Sequence, residues 1–180
     1  MNRKQISLDD CAGLIFKQIK RGVLVTTRVG KRLNAMTISW GSLGFEWGKP
    51  IFTIYIRQGR FTHEMLEANG EFTVNIPVGD FDRKILGVCG AKSGRDIDKF
   101  KELGLTPVDS AKISVPGIAQ LPLTLECKVI YKQTQDINML PPEIRDTDYP
   151  QDVPSSFYGS NRDAHTAYYG EILNAYIIEP

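Results

Sequence analysis

The stretch PIFTIYIRQGRFTHEMLEANGEFTVNIP, Pro50 to Pro77, sets the architecture. Ile51 to Ile56 is a near-continuous apolar run, which predicts a strand covered on both faces. After Gly59 the period changes. Phe61, Met65, Leu66 and Ala68 fall at helix-face spacing, and Asn69-Gly70 supplies the stop. Glu71 to Ile76 then reads as another strand, ended by Pro77. A helix set between two strands is the unit from which the rest of the chain is read.

Upstream, Asp9 or Asp10 caps a short helix carrying Ala12, Leu14, Ile15, Phe16 and Ile19, with Gly22 as its stop. Val23 to Thr27 is a β-branched run, and Gly30-Lys31 turns it into a second run ending near Trp40, a hairpin pattern. Gly41 to Gly44 reads as a loop. Downstream, Asp80 to Cys89 fits a helix with Phe81, Ile85, Leu86 and Cys89 on one side. Long strands are predicted over Leu123 to Thr134 and Thr166 to Ile178, the second with Gly170 inside it. Leu140 to Asn161 holds four prolines and few aliphatics and reads as an extended loop that wraps a partner subunit. Strands outnumber helices, and no repeat or composition break divides residues 1–180. The expectation is one mainly β domain, an antiparallel barrel with peripheral helices.

Composition narrows the function classes. Twenty-two Lys+Arg against 21 Asp+Glu leave a net charge of +1, which gives no electrostatic reason to expect nucleic acid or an anionic membrane as partner. Cys11, Cys89 and Cys127 are an odd number at wide spacings, so neither a disulfide framework nor a thiolate metal site is expected, and a reducing compartment is the natural home. Only His63 and His165 are present, too few for a multi-histidine metal centre. Met1 to Lys20 mixes charges among its apolar residues and shows no targeting segment, and no stretch approaches the ~18 apolar residues of a spanning helix. A cytoplasmic protein is expected.

Four segments can carry chemistry. On strand alternation Asn34, Met36, Ile38 and Trp40 share one face, and Ala35, Thr37 and Ser39 the other. The polar face is either plain solvent exposure or the lining of an anion or cofactor site with Met36 and Trp40 as an apolar wall. Arg57 and Arg60 flank Gly59 at a helix start followed by Thr62, where N–H groups and the dipole favour an anion; the alternative is two solvated arginines. In the third segment Ser93-Gly94 is a turn and Asp96 caps a short helix that puts Arg95 and Lys99 on one side. That reads either as a solvated loop or as a wall beside a polyanion. The fourth runs from His165 to Ile172. A lone histidine entering a strand is structural or catalytic, His63 reads as solvated, and neither has the neighbours of a hydrolytic triad.

In this order the four segments resemble the flavin reductase-like family, from about Gly22 to Ile178. Asn34 to Trp40 is similar to its N-x-M-T-x-S strand. Arg57 to Thr62 followed by Glu71 to Pro77 is similar to its phosphate loop, helix and F-x-V-N strand. Cys89 to Phe100 and His165 with Gly170-Glu171-Ile172 are similar to two later blocks. Within the family the flavoredoxin type is nearest. The resemblance implies an FMN-binding split barrel and a homodimer. It implies that Asn34, Met36, Thr37, Ser39 and Trp40 line the flavin, that Arg57, Arg60 and Thr62 hold its phosphate, and that Ser93, Gly94, Arg95 and Lys99 close the site. It puts His165 on the open side of the ring. There NADH or NADPH delivers electrons to an oxidoreductase, or a redox protein partner exchanges them with a carrier. The stretches around Tyr168-Tyr169 and after Leu140 depart from the family pattern.

Overall fold

The computed structural model describes residues 1–154 and 161–179. Its order is β1 (Asn2–Gln5), α1 (Leu8–Ile19), β2 (Val23–Val29), β3 (Arg32–Ile38), β4 (Gly41–Glu46), β5 (Lys49–Arg57), α2 (Phe61–Ala68) and β6 (Glu71–Ile76). Then follow α3 (Lys84–Ala91), α4 (Lys99–Leu103), β7 (Pro107–Val108), β8 (Gly117–Ile118), β9 (Leu123–Thr134), α5 (Pro142–Asp148) and β10 (His165–Glu179). The main sheet is antiparallel, ordered β3-β2-β6-β9-β10-β5-β4, with β1 added on β10 and the path left open between β3 and β4. This is the split barrel that the sequence predicts.

β10 joins the two halves. Its first seven residues pair with β5, from His165 opposite Arg57 to Glu171 opposite Ile51, while the other edge follows β9. A bulge at Tyr169/Gly170 bends it, and Gly170 is required there because a Cβ would overlap the Phe72 ring. The interior is filled by Val25, Phe52, Ile54, Phe72, Val74, Leu125 and Tyr168, sealed at one end by Cys11, Ile15 and Ile19 of α1. A second core forms outside the barrel, where Leu24 and Ala35 meet Ile85 and Cys89 of α3, with Phe100, Ile118 and Leu121. Both faces of the β2–β3 hairpin are therefore covered along most of its length, so simple solvent exposure does not describe Ala35 or Thr37.

Several boundaries differ from the sequence reading. Ser7 caps α1, its Oγ accepting from the Asp9 amide at 3.3 Å, in place of Asp9 or Asp10. Phe16 stays 77% exposed. The presumed loop at Gly41 to Gly44 is strand β4, held to β5 by a two-residue turn with Trp47 and Gly48 both at positive φ. Glycines masked it, yet Gly41 is needed where the Phe52 ring packs 3.2 Å from the site of its Cβ. The third helix starts at Lys84, four residues later than Asp80, with Asp82 Oδ1 accepting from the Lys84 amide. Leu140 to Asn161 is not loop throughout, because Pro142 at the first turn initiates α5; residues 155–160 of that stretch lie outside the described residues. The three cysteines are buried and unpaired, and among the described residues no cluster of His, Cys, Asp and Glu has metal-site form. Among the described residues no helix is long and apolar enough to cross a membrane.

Candidate functional site

Two joined clefts open where β3, β5 and β10 meet the first turn of α2 and the loop before α4. The first, about 250 Å³, is lined by Met36, Thr37, Ser39, Trp40, Arg57, Arg60 and His165. The second, about 200 Å³, shares Met36, Arg60 and Gly90 with it and adds Asn34, Thr62, Ser93, Gly94, Arg95 and Lys99. The residues singled out from the sequence thus come together from segments more than a hundred residues apart.

The second cleft has a buried polar floor. Asn34 Nδ2 donates to Thr62 Oγ1 at 2.9 Å, and both residues are almost fully buried. Asn34 Oδ1 has no partner among the described residues, and a Cβ on Gly94 would overlap it. Lys99, 4% exposed, donates from Nζ to the carbonyls of Ala35 at 2.8 Å and Cys89 at 3.0 Å. An ammonium has three protons, so one N–H remains for a ligand. Burial pulls its pKa down, helped by Arg60 and opposed by Cys89, while the Cys89 thiol is pushed up to about 11 by burial and is inert. The expected Arg95–Lys99 helix face does not form. Asp98, not Asp96, caps α4, which begins at Lys99, and the two side chains take opposite environments. Arg95 is half exposed, bonded to Gly59 O at 3.1 Å and paired with Glu64 at 3.2 Å.

The first cleft is framed by the segment before β10. Arg57 is buried at the end of β5. Its Nη1 donates to the carbonyls of Asn161 and Asp163, both at 2.8 Å, and its Nη2 to that of Asp148 at 2.6 Å. Three of five guanidinium N–H bonds are thereby committed to the backbone and two remain. Arg60 Nη2 donates to Asn161 Oδ1 at 3.0 Å, and the Gly59 amide to Asp163 Oδ2 at 2.6 Å. Arg60 sits at the N-cap of α2 without a side-chain cap bond, so the positive end of that helix adds to the arginines.

His165, the first residue of β10, is 6% exposed and lies 5.0 Å from the Trp40 ring, centroid to centroid. Its Nδ1 is 2.7 Å from the Tyr149 hydroxyl. Burial first, then Arg57, lowers its pKa to about 4, against the smaller pull of Asp163, so the ring is neutral near pH 7. His63 is half-buried instead of solvated, 3.2 Å from Thr166 Oγ1 and edge-on to Tyr168, outside both clefts.

Beyond Trp40 a third cleft of about 410 Å³ shares Ser39 and Tyr55 with the first. Gly41, Gln135, Leu140, Ile144 and Tyr149 also line it, and among the described residues no charged side chain does. Sequence reasoning missed Gln135, Tyr149, Asn161 and Asp163, which carry no motif. The one available hint was the proline-rich stretch leading to them.

A family model described as flavin reductase like domain matches residues 17–180. An uncharacterized protein of Archaeoglobus fulgidus is 32% identical over 110 residues, 61% of this chain and 60% of its own length. The flavoredoxin of Desulfovibrio vulgaris (Miyazaki F) superposes with a TM-score of 0.64 at 23% identity, covering 88% of this chain and 69% of its own. The NADH:FAD oxidoreductase of Streptomyces globisporus C-1027 does so at 0.63 and 17%, covering 97% and 87%. The chain thus spans under two thirds of that curated relative.

Proposed function

From the premise that this chain belongs to the flavin reductase-like family, we propose that it binds FMN in the two joined clefts and works as an oxidoreductase, taking electrons from NADH or NADPH and passing them on. The observation that carries this reading is the second cleft's floor: a buried ammonium with one free N–H beside an unpartnered buried amide oxygen, under a glycine that admits no side chain. An unsatisfied buried polar atom costs about 1–3 kcal/mol to keep. The cationic groups suit a phosphorylated ligand.

When bound, FMN supplies the redox chemistry. Arg60, Lys99 and Arg95 hold its negative charge, with hydroxyls of Thr62 and Ser93 beside them. Met36 and Trp40 wall its ring, and Thr37 and Ser39 line the edge between the clefts. Arg57 fastens the Asp148–Asp163 segment over the site and keeps two N–H groups for the ligand. His165 offers a neutral imidazole at the mouth, and the uncharged third cleft admits the electron donor or acceptor. The exposed aromatics Phe45, Trp47 and Tyr131 on the β4–β5 and β9 surface suit a homodimer contact, which light scattering tests.

Titrating the apoprotein with FMN, riboflavin and FAD by flavin fluorescence decides the reading. FMN is expected to bind at least about tenfold more tightly than riboflavin, about 1.4 kcal/mol from its phosphate. Equal affinities sink it, and tighter FAD binding moves it to the dinucleotide. Anaerobic bleaching of the bound flavin by NADH or NADPH supports the enzyme. Bleaching only by a reduced protein makes the chain a flavoredoxin-type carrier.

A further inference from the structure

We infer that Tyr149, backed by Gln135, is a positioning residue that holds the His165 ring with a proton on Nδ1, so that Nε2 presents a lone pair to the cleft. The inference rests on the reading of that cleft as the cofactor site and specifies the part His165 plays there.

Three hydrogen bonds close a ring of three residues. The Gln135 amide donates to His165 O at 2.9 Å. The Tyr149 hydroxyl donates to Gln135 Oε1 at 3.0 Å. His165 Nδ1 then meets the same hydroxyl at 2.7 Å. A phenol carries one proton, and here it is given to an amide oxygen that can only accept. The 2.7 Å contact is therefore closed by the histidine, with Nδ1–H as donor and the phenolic oxygen as acceptor. A neutral imidazole has a single N–H, so Nε2 is left unprotonated. Nε2 has no partner among the described residues and is not enclosed, and His165 lines the cleft.

Tyr149 is fixed for this task. It is 3% exposed and follows α5, its amide donating to Arg145 O at 2.8 Å. The Arg57 guanidinium lies over its ring, 4.8 Å from the centroid, and bonds the neighbouring Asp148 carbonyl. The groups facing the histidine are Arg57 and Arg60, which disfavour a second proton, and Asp163, which favours it; burial together with the two arginines outweighs Asp163 and keeps the ring neutral. His165 therefore accepts a hydrogen bond or a proton from an N–H or O–H in the cleft and does not donate one. Tyr149 does not line the first cleft and acts on a ligand there through this histidine.

The chain holds two histidines, so a long-range ¹H–¹⁵N spectrum of histidine-labelled apoprotein at pH 7.5 is readable, with His63→Gln assigning the signals. His165 is expected to show a protonated Nδ1 and a lone-pair Nε2. The opposite pattern overturns the inference. In Tyr149→Phe the single pattern is expected to give way to an averaged or reversed one while the His63 signals stay in place, and an unchanged His165 pattern removes Tyr149 from the role. Gln135→Glu keeps the acceptor oxygen and is expected to keep the wild-type pattern; Gln135→Leu is expected to lose it. FMN affinity measured on the same samples tests the cofactor reading separately, since its failure leaves the tautomer where the spectrum puts it.

Discussion

The two sides of Trp40 are built from opposite materials. On one side Arg57, Arg60, Arg95 and Lys99 converge on clefts with a buried polar floor. On the other, Leu140, Ile144, Tyr55 and Tyr149 form a cleft without a formal charge. A net charge of +1 over 180 residues hides this segregation completely. Summed charge reports solubility and long-range steering, whereas ligand class is set by where a few charges are brought together. The charged side is suited to hold a phosphorylated group, and the uncharged side to admit something that comes and goes.

The comparison breaks most severely at Arg57, which lines the charged side and stacks on Tyr149 of the other. Arg57→Ala removes three charge-assisted bonds to part-buried carbonyls and is expected to cost about 4 kcal/mol, read from urea midpoints, and to weaken FMN binding strongly. Arg57→Lys is expected to restore little, because one ammonium cannot span the three acceptors. Wild-type stability and FMN affinity in the alanine variant contradict the strap.

Next in size is a pH effect confined to His165. Its folded pKa of about 4 lies below the unfolded value of about 6.5, so the unfolded chain binds the proton first. Its contribution is full above pH 6.5, is lost progressively as pH falls toward 4, and reaches about 3 kcal/mol. His63 shifts in the same direction. The difference between wild type and His165→Gln isolates the effect, and parallel stability curves over this range rule it out.

Gly94→Ala attacks the charged side alone. The added methyl displaces Asn34 Oδ1, and FMN affinity is expected to fall about tenfold to hundredfold, 1.4–2.8 kcal/mol. Ile144→Glu puts a carboxylate into the uncharged side instead. FMN affinity is expected to stay within about twofold while reduction by NADH or NADPH slows; slower reduction is the arm that fails if the third cleft is idle. The smallest effect belongs to Arg95→Gln. Its pairing with Glu64 is half exposed, so stability is expected to change by under about 1 kcal/mol although FMN binding weakens. A stability loss well above that makes the arginine structural.

Legibility from sequence followed the range of the interactions. β9 and the Ile51–Ile56 run were readable because apolar period and flanking prolines are local. β1 was not, since Asn2–Gln5 is polar and exposed and is a strand only because β10 lies beside it. The charged cleft was legible through the family resemblance, since Arg57, Arg60, Arg95 and Lys99 stand in the blocks that carry it. Their individual states were not: Arg57 is turned to carbonyls 91 to 106 positions away, and Lys99 is buried while Arg95, four residues earlier, faces solvent. Tyr149 has no local pattern at all, because its partner is a histidine sixteen residues on.

β10 carries a consequence for how the barrel is made. The strands before it form two separate sets, β3-β2-β6-β9 and β5-β4, and no pairing joins them except through residues 165–179. During synthesis both sets exist before their common neighbour, with β9 and β5 each presenting an unpaired edge. Loop closure over more than a hundred residues then has to precede the contact between His165 and Arg57, which makes assembly slow relative to a local hairpin. The charged pocket is therefore among the last parts of the molecule to exist, and a ribosome that stalls before residue 165 leaves two sticky half-sheets and no site.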